Sequence, residues 1–119
     1  MNKEILVIDD NPDLRFLICK ILKEEKYEIR SAANYDQAEK EIKKKLPDLA
    51  IIDIKLDKSD KDGIDLLKLI MSIQPATPVI MISGHATVQI ALESIRLGAY
   101  EFIEKGTSFS TDKLLNYIA

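Results

Sequence analysis

Two adjacent acids, Asp9 and Asp10, stand where the apolar run Ile5-Leu6-Val7-Ile8 meets a helix start at Asn11-Pro12. A third, Asp53, closes a second run, Leu49-Ala50-Ile51-Ile52. If these runs are neighbouring parallel strands, three carboxylates crowd at one edge of a sheet. Two unit charges about 5 Å apart repel by on the order of 3 kcal/mol at an effective dielectric near 20, so stability alone does not gather them. Either one acid takes up a proton or a hard cation sits among them. Ser83-Gly84 closes a further apolar run, and Lys105 lies just past another. This set suits phosphoryl transfer. Asp53 would be the nucleophile, with Mg²⁺ neutralising both it and the donor's oxygens. Ser83 and Lys105 would hold the remaining oxygens, and Gly84 would leave room for the donor.

Each residue alone has a plainer explanation. An Asp or Asn before a helix is commonly a cap, a lysine is commonly a solvated charge, and a serine at a strand end is commonly turn chemistry. Four strand ends that each present a suitable residue outweigh those explanations.

The elements that must position these residues alternate in type. Ile5–Ile8 is short, continuous and β-branched, as in a strand covered on both faces. Leu14, Leu17, Ile18, Ile21 and Leu22 recur at helical spacing, with Asn11 as N-cap and Pro12 at the first helical position. Further strands are expected at Tyr27–Arg30, Leu49–Asp53, Pro78–Ser83 and Tyr100–Ile103. Helices are expected at Tyr35–Lys45 (ended by Pro47), Ile64–Ile73, Thr87–Leu97 (stopped by Gly98) and Asp112–Ile118. Five strand–helix pairs without a long loop give an α/β fold: a five-stranded parallel sheet of order 2-1-3-4-5 in a flavodoxin-like three-layer sandwich. Strands one and three then flank the switch point where such sheets bind ligands.

The 119 residues make one domain, and 46% apolar with 31% charged residues exclude a disordered chain. A net charge of −3 gives no basic field for nucleic acid, so no direct nucleic-acid contact is expected. The single cysteine, Cys19, excludes an internal disulfide, and its place in a periodic helix reads as a partly packed thiol. No apolar run approaches the roughly 20 residues that cross a bilayer, and no signal-peptide pattern opens the chain. No membrane contact and a cytoplasmic location are therefore expected.

The chain resembles the receiver domain of two-component response regulators over nearly all its length. The resemblance is carried by Val7-Ile8-Asp9-Asp10, Ile51-Ile52-Asp53, Met81-Ile82-Ser83-Gly84-His85-Ala86 and Gly98-Ala99-Tyr100-Glu101-Phe102-Ile103-Glu104-Lys105. It implies that Asp53 accepts a phosphoryl group from a phosphohistidine on a sensor histidine kinase. It implies that Asp10 and Asp53 bind Mg²⁺ (or Mn²⁺) directly, Asp9 through water, with the Lys55 carbonyl as a further ligand. Ser83 and Phe102 would be the switch pair, Lys105 the phosphate-binding lysine, and Lys55 and His85 would border the path of the hydrolytic water. Ser83 through Tyr100 and the Asp57–Asp62 stretch are similar to the nitrogen-regulation class, the NtrC and NtrX type. Members usually carry an ATPase and a DNA-binding domain after the receiver. Residues 1–119 are thus expected to be a receiver domain, a fragment of a longer transcription regulator.

Two stretches depart from the family pattern. Asp57 stands where a proline is usual, and Gly63 comes two residues late, after a longer charged loop. The family lysine is normally followed by proline, with a cis bond, whereas Gly106 follows Lys105. A cis bond before a non-proline residue costs about 2.5–4 kcal/mol, so a trans bond is expected there.

Phosphorylation adds close to two negative charges. Drawing Ser83 and Lys105 onto them would open space for Phe102 and bias the face of helix four, strand five and helix five. That face, with Glu93, Arg96, Glu101 and Glu104, is the expected output and homodimer surface. Three rivals stand beside this switch. One is a pseudo-receiver that binds partners without phosphorylation. A second is a haloacid-dehalogenase-type phosphatase, disfavoured because Lys55 and not an acid follows Asp53 by two. The third is a flavin or nucleotide sandwich, disfavoured because no glycine-rich loop follows strand one.

Overall fold

The computed structural model describes residues 3–56, 61–84, 87–105 and 111–118. Strands β1 (Glu4–Ile8), β2 (Glu28–Ala32), β3 (Leu49–Asp53), β4 (Val79–Ser83) and β5 (Glu101–Glu104) alternate with five helices. These are α1 (Pro12–Glu24), α2 (Tyr35–Lys44), α3 (Gly63–Ile73), α4 (Val88–Arg96) and α5 (Thr111–Ile118). The strands form one parallel sheet of order β2-β1-β3-β4-β5, as the alternation predicts.

Alternation along each strand divides the core in two. Ile5, Val7, Ile51, Ile80, Ile82 and Ile103 face Ile18 and Leu22 of α1 and Leu114 of α5. Leu6, Ile8, Ile52, Val79 and Met81 face α2 and α3 through Ala38, Ile42, Leu66, Leu67 and Ile70. Every residue of β3 and β4 is buried, because helices cover both faces.

Local chemistry sets the helix starts beside the sheet edge. Asn11 accepts hydrogen bonds from the Asp13 and Leu14 N–H groups, with Pro12 at the first helical position. Asp62 caps α3 in a reciprocal box with Asp65. Thr87 caps α4 through Ile90 N–H at 3.1 Å and is not itself helical.

Several boundaries shift from the sequence expectation. β2 begins at Glu28 and not Tyr27, because Lys26 turns with φ 73° and the Tyr27 N–H closes onto the Leu22 carbonyl of α1. β5 runs Glu101–Glu104 and not Tyr100–Ile103; the Tyr100 side chain is exposed and pairing begins at Ile80 with Glu101. α2 closes at Lys44, with Lys45 extended, so the helix stops before Pro47 is reached. β4 starts at Val79, one residue after Pro78, and α3 starts at Gly63, one before Ile64. α4 is shorter by its two capping residues, and α5 begins at Thr111. Gly98 ends α4 as expected, at φ 114°; a Cβ there would lie 2.7 Å from Met71 Sδ.

Candidate functional site

Pairing of Ile8 with Ile52 in adjacent parallel strands sets Asp9 and Asp53 side by side at the carboxyl edge. Carboxylate oxygens of Asp9, Asp10 and Asp53 all lie within 4.8 Å of one another. Asp9 is fully buried, Asp53 is buried and Asp10 is half-buried. Asp9 Oδ1 accepts the Asn11 N–H at 2.9 Å, which ties the acid pair to the cap of α1. Arg15 Nη1 donates to the Asp9 carbonyl at 2.7 Å.

Lys105 reaches the acids without the usual following proline. Its N–H donates to the Ser83 carbonyl at 2.8 Å, extending the β4–β5 ladder by one bond. Its Nζ then lies 3.0 Å from Asp53 Oδ2 and 3.1 Å from Asp9 Oδ2. The Lys105–Gly106 peptide, expected to be trans, ends on a residue outside those described.

One ammonium among three carboxylates leaves an uncompensated excess of two negative charges when all are ionised. The pKa of Asp53 is pushed up to about 7. Burial is the main cause; the Lys105 hydrogen bond and charge pull it back, while the charges of Asp9 and Asp10 push it up. For Lys105 burial works downward, but the Asp53 hydrogen bond and the charges of Asp53 and Asp9 outweigh it, so its pKa stands above the ordinary value. The ammonium stays charged while the acids compete for it. Asp9 Oδ2 is buried and makes no hydrogen bond among the described residues; it has only the ion pair with Lys105. Three hard oxygen donors within 4.8 Å and an excess of negative charge fit a divalent cation of the Mg²⁺ type.

The other expected residues fall as follows. Ser83 is buried at the end of β4, next to β5 through its pairing with Glu104. Gly84 follows it; among the described residues a Cβ there would meet only Lys105 Cδ, at 3.9 Å. Phe102 is half-buried on β5 and packs against the α2–α3 side of the core. Lys55 is exposed just beyond the site. His85 and the Asp57–Asp60 part of the charged loop lie outside the described residues. Glu93, Arg96 and Glu104 are exposed and Glu101 is half-buried around α4 and β5.

Two contributions escaped the sequence reading. In the sequence Gly63 stands out only by its displacement; in the fold its N–H donates to the Ile54 carbonyl at 2.7 Å. A Cβ on Gly63 would collide with the Asp53 carbonyl and lie 2.8 Å from Ile54 Cα. The glycine thus marks a close approach of helix to strand, legible once the helix start is fixed. Arg15 carries no motif of its own in the sequence. Its signal is its place at the end of the first turn of α1, since helical side chains lean back toward the N-terminus. Cys19 is a half-buried thiol whose pKa is raised, mainly by burial, as a packed thiol requires.

A doubly wound parallel sheet with acids and a lysine converging at its switch point defines a receiver-type signalling domain. Residues 5–119 match the response regulator receiver domain family, and the chain belongs to it. It is 43% identical over 115 residues to the nitrogen assimilation regulatory protein NtrX of Azorhizobium caulinodans, covering 97% of this chain and 25% of that protein. Its fold matches the crystal structure of the NtrX receiver domain of Brucella abortus with TM-score 0.86 and 42% identity, over 96% of this chain and 93% of that one. The solution structure of a beryllofluoride-activated NtrC4 receiver domain dimer matches with TM-score 0.87 and 35% identity, over 97% and 92%. The chain spans about a quarter of the length of the curated relatives it matches. Among the described residues no helix is long and apolar enough to cross a membrane.

Proposed function

We propose that this receiver accepts a phosphoryl group on Asp53 from the phosphohistidine of a sensor histidine kinase, in a Mg²⁺-dependent reaction. The observation that carries this reading is the convergence of Asp9, Asp10, Asp53 and Lys105 at one sheet edge, with excess negative charge around one ammonium. Asp10 and Asp53 would hold the cation directly, Asp9 through water, and the Lys55 carbonyl would complete the protein ligands. Mn²⁺ would serve in place of Mg²⁺. When bound, the cation would neutralise the carboxylates and the phosphoryl oxygens, so that one anion can approach another.

Asp53 then attacks phosphorus through a carboxylate oxygen. The P–N bond to the donor histidine breaks, its electron pair staying on the imidazole nitrogen. Lys105, already 3.0 Å from Asp53 Oδ2, transfers its donors to the new phosphoryl oxygens, and Ser83 takes another. Both draw the end of β4 inward. Phe102, packed from β5 against the core, would answer by changing its burial and biasing the surface of α4, β5 and α5. Lys55 and His85 would tune the lifetime of the phosphoryl group. As a receiver of the NtrX and NtrC type, residues 1–119 would act within a longer cytoplasmic regulator of transcription, leaving DNA to another domain.

Incubation with Mg²⁺ and acetyl phosphate, read by intact mass, tests the reading. Wild type gains one hydroxylamine-labile acyl phosphate and Asp53→Asn gains none. Unmodified wild type, under conditions that label other receivers, would make this chain a pseudo-receiver that acts by binding alone.

A further inference from the structure

Asp10 is the one acid of the cluster whose side chain makes no hydrogen bond or ion pair among the described residues. Its direction is therefore set by its backbone. The Asp10 N–H shares a rigid peptide plane with the Asp9 carbonyl, and that carbonyl is held by Arg15 Nη1 at 2.7 Å. Asp9 is otherwise fixed at each polar atom: its N–H on the Ala32 carbonyl at 3.2 Å, Oδ1 on the Asn11 N–H at 2.9 Å, and Oδ2 beside Lys105 at 3.1 Å. Arg15 supplies the remaining tether, the one that orients the plane leading into Asp10.

The placement of that arginine breaks a local rule. A cation in the first turn of a helix faces the positive end of the macrodipole, where acids are favoured. Arg15 stands there on α1 and is half-buried. Rules of this kind are broken where a site needs the residue. We infer that Arg15 is a positioning residue, holding the Asp9–Asp10 peptide so that the Asp10 carboxylate points into the cation site. The inference rests on the cation site proposed above.

The sign of one measurement separates positioning from simple charge. Removing a positive group beside a cation site strengthens cation binding by Coulomb's law. Loss of a tether that orients a ligand weakens it, commonly by about tenfold or more. Free Mn²⁺ is counted by electron paramagnetic resonance, and Mg²⁺ binding is followed by calorimetry, for wild type, Arg15→Met, Arg15→Lys and Asp10→Asn. Arg15→Met is expected to bind Mn²⁺ about tenfold more weakly. Arg15→Lys should recover part of the affinity. In an Asp10→Asn background, Arg15→Met should cause no further loss, because the residue it orients is already disabled and only the Coulomb effect remains.

Mn²⁺ affinity in Arg15→Met equal to or tighter than wild type overturns the inference. So does an equal further loss in the Asp10→Asn background. Should Arg15→Met not fold, Arg15→Lys decides by the same criterion, weaker binding supporting and unchanged binding refuting. A wild type that takes up no Mn²⁺ fails at the cation site itself and removes both readings, a result distinct from intact wild-type binding that ignores Arg15.

Discussion

Lys105 Nζ lies 3.0 Å from Asp53 Oδ2, although no proline follows the lysine to aim it. The aiming comes from the sheet. The Lys105 N–H is fixed on the Ser83 carbonyl at 2.8 Å, and the side chain then runs past Gly84, where Cδ would lie 3.9 Å from a Cβ if that residue carried one. The same ammonium pairs with Asp9 Oδ2 at 3.1 Å. It therefore holds the oxygens that a cation would claim, and it is the donor that a phosphoryl group would need.

This double role makes Lys105→Met diagnostic. Loss of the ammonium removes a competitor for Asp9 and Asp53, so Mg²⁺ binding should tighten. Loss of a donor aimed at the transferred group should slow phosphorylation by about a hundredfold. Calorimetry and intact-mass time courses measure the two. A variant that binds Mg²⁺ more weakly would show that the lysine builds the cation site and does not compete for it.

Stability of the metal-free protein should depend on pH through Asp53. Its folded pKa, about 7, stands above the ordinary 3.8, so the folded state binds the proton more tightly than the unfolded one. The contribution is fully present below pH 3.8 and is lost as pH rises through 7. Subtracting the Asp53→Asn profile isolates it from other titrations. In chelator, wild type should lose stability relative to Asp53→Asn between pH 5 and 8, and Mg²⁺ at pH 8 should restore much of the loss. A constant difference across this range would show that Asp53 is ionised throughout.

Gly63 bears on the same acid from behind. Because a Cβ there would collide with the Asp53 carbonyl and lie 2.8 Å from Ile54 Cα, Gly63→Ala must push α3 away from the end of β3. Overpacking of this kind costs about 1–3 kcal/mol, which urea unfolding would read. The phosphorylation rate should fall as well, since the displaced main chain carries the acceptor. An alanine variant as stable and as reactive as wild type would mean the loop yields without disturbing the strand.

What the sequence carried follows burial. β3 and β4 are covered on both faces, so each reads as an unbroken apolar run, β3 with both limits as expected and β4 displaced by one residue at Pro78 alone. The edge strands β2 and β5 mix exposed and buried positions, which blurs their ends by a residue or more. The acids, the serine and the lysine were legible because parallel strands deliver their last residues to one edge. Arg15 and Gly63 were not, since their roles depend on how α1 and α3 approach the backbone of those strand ends. Caps such as Asn11 and Asp62 fix where the helices begin, and from there the reach of Arg15 can be worked out.

The surface of α4 should govern self-association. Val88, Leu92 and Ile95 recur at one-turn spacing and are 77%, 56% and 46% exposed, with Tyr100 beside β5 at 60%. Ser94, on the same helix, is fully buried and donates to the Ile90 carbonyl, so the exposed stripe is the outward face and not a misplaced core. Glu93 and Arg96 border it with opposite charges suited to a self-complementary contact. Sedimentation of the domain with Mg²⁺ and beryllofluoride should show concentration-dependent dimerisation. Leu92→Glu should weaken it at least about tenfold, the loss typical of a central apolar contact. Phe16→Glu serves as the control, because Phe16 is 71% exposed on α1, a helix separate from this stripe. Equal weakening by both substitutions would move the interface off α4. Weakening by Phe16→Glu alone would put it on α1.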